Sequence, residues 1–311
     1  MGFLLDSYRF VVTASGNVTT AEDNAMTVGG ISSAWVAISS VNEWDGTNWT
    51  AGTVLPSTLT NAQSMFRGNT DSGINCGGWT GTSLNALVNT QVWNGTAWSN
   101  VDDLNTARAI GFAMGGSEDS AFCNGGQSAS GGTQIFSSEE YDGSADTWTT
   151  KTSSTFGGQG TQGDGTPDDF IKSGGKQDDG GGSYSNNIKV ETWNGTSWTT
   201  LGVGSNFPLS SAYNYGTCCG VGNDSYMMGT NSSSTGDNLI YKFDGSSWTN
   251  SGSATTAPKY VGMGGSSDYA IICGVWQAGT ASSVYNGSSW STTNALQTTR
   301  SNSGVGATTA S

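Results

Sequence analysis

The chain has no histidine in its 311 residues. Histidine is the side chain whose ordinary pKa suits it to general acid–base work near neutral pH. Basic residues are scarce too: Lys and Arg number 10 against 24 Asp and Glu, a formal net charge of −14. A phosphate backbone is bound by Lys and Arg that displace its counterions, so nucleic acid is not an expected partner. Anionic membrane surfaces are disfavoured on the same ground. No stretch approaches the ~18 uninterrupted apolar residues of a bilayer span, which argues against membrane insertion. The opening "MGFLLDSYRFVV" has no basic start, and Asp6 and Arg9 interrupt its apolar run, so it does not read as a secretory signal. Five cysteines occur (Cys76, Cys123, Cys218, Cys219 and Cys273) without a CxxC, and an odd number leaves one thiol unpaired within the chain. Cys76, Cys123 and Cys273 fall at neighbouring places in apolar contexts and are read as small buried hydrophobes.

What the chain has instead is periodic. Charged residues are 11% and apolar residues 34%, but 12 Trp supply large units of buried area. One Trp ends each repeat, at Trp49, Trp98, Trp148, Trp198, Trp248 and Trp290, with spacings of 49, 50, 50, 50 and 42 residues. A period of roughly 40–50 residues marks a solenoid or propeller array, and the count is six. Before each Trp lies Asp-Gly or Asn-Gly: Asp45-Gly46, Asn94-Gly95, Asp142-Gly143, Asn194-Gly195, Asp244-Gly245 and Asn286-Gly287. These dipeptides favour tight β-turns because Gly and Asn tolerate positive φ. Each turn is preceded by an aromatic (Trp44, Trp93, Tyr141, Trp193, Phe243, Tyr285), which predicts a hairpin. Upstream, stretches such as "AIGFAMGGSEDSAFCNGG" (109–126) read as a second hairpin turning near Asp119. Four strands, A to D, then make one blade. Small residues crowd strand A, where converging blades leave least room.

The first repeat lacks a front strand. "AEDNAMTVGG" (21–30) matches "SEDSAFCNGG" from the turn onward, whereas "LQTTRSNSGVGATT" (296–309) resembles the strand-A stretch "LNTARAIGFAMGG". The surplus strand predicts closure of the ring, with the C-terminal strand completing blade 1 beside N-terminal ones. The expected architecture is all-β: a six-bladed β-propeller of four-stranded antiparallel blades over 21–311, with 1–20 as an N-terminal appendage or attachment segment. A longer "QDDGGGSYSNN" (177–187) sits between strands B and C of blade 4.

The double glycines Gly29-Gly30, Gly77-Gly78, Gly125-Gly126 and Gly174-Gly175, the following aromatic and the terminal Trp resemble a kelch-type repeat over about residues 21 to 311. Blades 5 and 6 depart from it with Gly229-Thr230 and Gly274-Val275, and the strand-A arginine is present only as Arg108 and Arg300. Short "YDGTSWT"-like units in Ser/Thr/Asn-rich chains are also similar to proteins of tailed bacteriophages, particularly marine ones. That resemblance implies a virion protein, decorating a capsid or forming part of a tail or fibre. Its partners would be other virion proteins and host surface glycans, and many copies would be present per particle.

Catalysis was weighed against this. A copper-radical oxidase on the same fold needs two His ligands, and there are none. Glycoside hydrolysis needs two suitably spaced carboxylates, and a sialidase-like site needs three guanidinium groups, which Arg9, Arg67, Arg108 and Arg300 would have to supply. The sequence therefore sets the expectation of a non-catalytic binding or structural propeller without a cofactor. A cellular kelch interaction module or lectin is the alternative, with a His-free glycosidase after it. Asp164, Asp168, Asp169, Asp178 and Asp179 concentrate carboxylates in blade 4 and are the candidate ligands for a Ca²⁺-like cation. Asp71, Asp119, Asp168, Asp224 and Asp268 recur in the A–B turn and are read as turn formers accepting local N–H groups. The Asn-Gly-Thr/Ser patterns at Asn94, Asn194 and Asn286 are read as hairpin turns rather than glycosylation sites, and the Trp series as packing between blades.

Overall fold

Each repeat's signature folds as its chemistry dictates. The turn Asp or Asn accepts hydrogen bonds from two backbone N–H groups, as Asp45 does from Thr47 and Asn48 and Asn194 from Thr196 and Ser197. The next residue, Gly46, Gly95, Gly195, Gly245 or Gly287, takes φ between 84° and 88°. Blade 3 has a longer turn and places its left-handed residue at Asp146 instead. The aromatic before the turn pairs directly across the ladder with the Trp after it, from Trp44–Trp49 to Tyr285–Trp290. Ring centroids in these six pairs lie 5.1–5.5 Å apart.

In this computed structural model the described residues are 11–12, 18–19, 24–32, 38–56, 65–78, 85–128, 132–178, 184–208, 217–220, 226–229, 238–256, 261–274, 279–300 and 304–307. They form six four-stranded antiparallel sheets. Blade 3 is representative: Ala109–Gly116, Ser120–Gln127, Ser138–Asp142 and Thr147–Lys151 from the axis outward. The innermost strands of the others are Met65–Gly68 (blade 2), Gln162–Gly165 (blade 4), Thr217–Gly220 (blade 5) and Gly262–Gly265 (blade 6). Blade 1 takes its innermost strand from the far end of the chain. Gly304–Ala307 pairs with Asn24–Val28, Gly304 opposite Val28 and Ala307 opposite Ala25. Each innermost strand packs against those of the blades before and after it, so six of them encircle the axis. The longer segment of blade 4 contributes a side hairpin, Lys176–Asp178 with Tyr184–Asn186. Of the expected N-terminal appendage, Val11–Val12 and Val18–Thr19 pair with each other, and the remainder lies outside the described residues.

The terminal Trp residues sit in the seams between blades. Trp49 donates its indole N–H to Ser282 Oγ of blade 6, Trp148 to Thr90 Oγ1 of blade 2 and Trp198 to Ser138 Oγ of blade 3. Trp98 and Trp248 donate to the carbonyls of Thr53 and Ser205, in the connections that leave the preceding blades. Trp290 packs into the seam between blades 5 and 6 with its buried N–H unpaired. All five cysteines are buried free thiols. Desolvation raises the pKa of Cys123 and of Cys273 to about 12, which keeps them protonated and inert.

Two arginines occupy equivalent joints, their backbone N–H groups held by the preceding blade (Leu87 O and Gly279 O) and their side chains by the next. Arg108, fully buried before the first strand of blade 3, donates to the carbonyls of Gly125 and Ser137, to Ser137 Oγ and to the Glu139 carboxylate. Arg300 repeats this at the closure, donating to the carbonyls of Gly29 and Ser40, to Ser40 Oγ and to Asn42 Oδ1. Where blade 3 has a carboxylate, the closure has only the amide of Asn42. Burial accordingly lowers the Arg300 pKa to about 10, whereas at Arg108 the paired Glu139 carboxylate works against burial and the net shift is upward.

Arg300→Ala would take a buried donor away from the carbonyls of Thr27, Gly29 and Ser40 and from Asn42 Oδ1. A loss of about 3 kcal/mol or more is expected, read as a lower urea midpoint than wild type, with Arg300→Lys recovering only part of it. Gly115→Ala tests the crowding at the axis, because an added Cβ would lie 2.1 Å from Gly165 O of blade 4. It should lower the melting temperature, whereas Gly202→Ala, with nothing within 4 Å, should leave it unchanged.

Candidate functional site

Around the axis, side chains have almost no room. At the next-to-last position of the innermost strands stand Gly306, Gly115 and Gly264 in blades 1, 3 and 6, and Cys219 in blade 5. A Cβ on Gly306 would come 2.1 Å from Gly68 O of blade 2, the same approach that Gly115 makes to blade 4. The same position carries Arg67 in blade 2 and Asp164 in blade 4, the charged residues among the described innermost strands.

These two meet across the ring. Arg67 Nε lies 2.9 Å from Asp164 Oδ2. The Arg67 Nη1 atom donates to Phe66 O and to Val305 O of blade 1, and Nη2 to Gly163 O of blade 4 and Cys218 Sγ of blade 5. One side chain thus ties blades 1, 2, 4 and 5 at the centre. Asp164 in turn accepts from the N–H groups of Gly165 and Gly220. Burial raises the Asp164 pKa to about 6 against the opposing pull of Arg67. Burial would lower the Arg67 pKa, but the Asp164 charge outweighs it and the net shift is upward.

The pair forms the floor of a funnel of about 610 Å³ on the face carrying the A–B turns. All six blades line it, glycine being the commonest residue, and Asn69, Ser117, Ser120, Thr166 and Asp168 add polar residues at the rim. The volume falls within the ~300–1,000 Å³ typical of small-molecule sites.

The carboxylates expected to gather in blade 4 are dispersed. Asp164 lies in the floor with Arg67, and Asp168 is exposed on the funnel rim. Asp169 closes the A–B turn through its carbonyl, which accepts from Thr166 N. Asp178 ends a strand of the side hairpin, and Asp179 lies outside the described residues. Among the described residues no group of three or more His, Cys, Asp or Glu side chains could hold a metal ion. The A–B turns differ from expectation as well. In them the acceptor is the side chain two residues before the Asp: Asn69 for the N–H of Asp71 and Ser72, Thr166 for Asp168 and Asp169, and Ser266 for Asp268. The Asp backbone instead meets the C–D hairpin of its own blade, where Asp119 O accepts from Gly143 N. Asp224 lies outside the described residues. Nor do the arginines converge as a sialidase-like site requires: Arg67 is at the axis, Arg108 and Arg300 are buried in separate seams, and Arg9 lies outside the described residues.

A second buried charge, Lys172 of blade 4, reaches back into blade 3. It donates to Asn124 Oδ1 and Ser154 Oγ at 2.8 and 2.6 Å and to the Phe156 carbonyl, and it pairs with Glu191 at 3.2 Å. Burial lowers its pKa to about 7. Neither pair was anticipated from the sequence. The available signal was a charged residue inside a small or apolar strand of a charge-poor chain, as in "MFRG", "QGDG" and "FIKS".

No protein-family model matches the chain, and no curated protein sequence matches it. Among solved structures, 259 chains match. One of them, described as the structure of YjhT, superposes with a TM-score of 0.57 at 13% identity, covering 80% of this chain and 88% of that one. This likeness shows the fold. It also overturns the expectation that the chain is not an enzyme. A ring of this shared architecture sets no bar to catalysis, and the argument from missing histidine was incomplete: burial has brought one funnel carboxyl, Asp164, to a pKa of about 6.

The Asp164 shift has a definite sign. Because the folded pKa lies above the ordinary aspartate value of 3.8, the group's contribution to stability is full below about pH 4 and is lost as pH rises through about 6. The urea midpoint of wild type, measured relative to Asp164→Asn, should therefore fall between pH 4 and 6.5. Parallel profiles for the two proteins would show that Asp164 does not titrate there.

Proposed function

We propose that the protein is a ligand-binding propeller of kelch type that serves as a component of a bacteriophage particle, on a capsid surface or in a tail or fibre, with the axial funnel as its binding site. The observation that carries the binding role is the funnel itself. It is a concave site to which all six blades contribute, on a ring whose seams hold buried indoles and whose axis is tied by the Arg67–Asp164 pair. A rigid frame of this kind presents its rim groups without paying much ordering entropy on binding.

The kelch assignment is supported by the four double glycines, all eight residues of which have positive φ, and by the matching roles of Arg108 and Arg300. The virion assignment rests on the repeat style of the sequence and on its Ser/Thr/Gly-rich, lysine-poor composition. In that setting the partners are neighbouring virion proteins and host surface glycans, and the repeated copies of a particle offset weak single-site affinity through avidity.

Mass spectrometry of purified particles from the source should find the protein in stoichiometric amounts with the other structural proteins. Absence from particles would remove the virion role. A glycan array probed with the recombinant protein reads the binding role separately, and no saccharide preference there would leave a purely architectural part.

A further inference from the structure

We infer that the funnel takes an uncharged polyhydroxylated group, such as a neutral sugar ring, held by Asp168 and the rim hydroxyls and not by Arg67. This rests on the funnel being the binding site. The strongest anion-recognising side chain in the cavity is already spent, because all three guanidinium nitrogens of Arg67 are engaged by Asp164, three carbonyls and a thiol. An incoming carboxylate would have to break that floor apart. It would also meet Asp164 and Asp168, two carboxylates against one guanidinium, in a chain of net charge −14.

The rim offers the opposite chemistry. Asn69 uses its Oδ1 to accept from Asp71 and Ser72, which leaves its amide to donate. Thr166 Oγ1 accepts from Asp168 and Asp169, which leaves its O–H to donate. Ser117 and Ser120 add two more hydroxyls, and Asp168, whose Oδ1 lies beside Gly195 of the C–D hairpin, is an exposed acceptor on the rim. Among the described rim residues donors outnumber acceptors. An ammonium ligand could not receive them, whereas a polyol both donates to Asp168 and accepts from the others. Among the described residues no aromatic ring lines the funnel, so ring stacking adds nothing there and single-site affinity should lie on the order of millimolar.

The test is a backbone-amide NMR titration with neutral methyl glycosides of glucose, galactose and mannose against the matching uronic acids. At least one neutral sugar should shift the amides of Gly116, Gly165 and Gly265, and its uronic acid should bind at least about tenfold more weakly. Asp168→Asn, at an exposed position that should leave the fold intact, should weaken the neutral sugar by about tenfold, with Ser120→Ala as a second variant. A uronic acid that binds as well as its neutral partner, or an Asp168→Asn protein of unchanged affinity, overturns the inference. If no sugar shifts the funnel amides while the protein still gives specific hits on the array, the ligand assignment is wrong and the binding role survives. Absence from particles bears on the virion role and leaves this inference untouched.

Discussion

The whole ring depends on one ladder of backbone hydrogen bonds, between Gly304–Ala307 and Asn24–Val28. Five blades are built from consecutive chain, and their hairpins form locally. Blade 1 cannot form until the two ends of the chain meet, a closure across nearly the full length of the protein that carries a large entropic cost. What offsets it is concentrated nearby: Arg300 on the carbonyls of Gly29 and Ser40, Asn294 on Thr47 O, Gln297 on Trp49 O, and Trp49 against Ser282 of blade 6. A buried apolar cluster of Ala25, Trp44, Trp49, Ile271, Leu296 and Val305 packs at the same junction.

Closure also sets what the axis can be. Six innermost strands converge so tightly that glycine backbones touch, and the cavity wall is therefore made mainly of peptide groups. The two long charged side chains at that level have to cross the axis rather than line it. Arg67 and Asp164 thus act first as a tie between blades. The funnel above them inherits a floor that is already neutralised and hydrogen-bonded, and its selectivity falls to the short polar side chains of the A–B turns.

The parts legible in the sequence were those encoded within one repeat or by comparison between repeats. The Asp/Asn-Gly turns, the aromatic pairs and the seam position of the Trp series follow from local chemistry and a fixed period. The closing strand followed from counting, because "SNSGVGATT" was one strand too many and blade 1 one too few. The Arg67–Asp164 contact spans two blades and nearly a hundred residues, and Lys172–Glu191 is completed by Asn124 of the neighbouring blade; no local pattern announces either. The A–B turn acceptors were misplaced by two residues, since a recurring Asp looked like the capping group when Asn69, Thr166 and Ser266 do the capping.

The register of the closing strand has a mechanical corollary. Because Ala307 pairs with Ala25 and Gly304 with Val28, the polypeptide before residue 24 and the polypeptide after residue 307 depart from the same end of the two paired strands. Tension applied between those ends would peel the bonds one after another, like a zipper, instead of loading them together in shear. The ring is therefore a poor tether if pulled from both ends, and far sturdier when anchored through one end with its load on the faces of the disc.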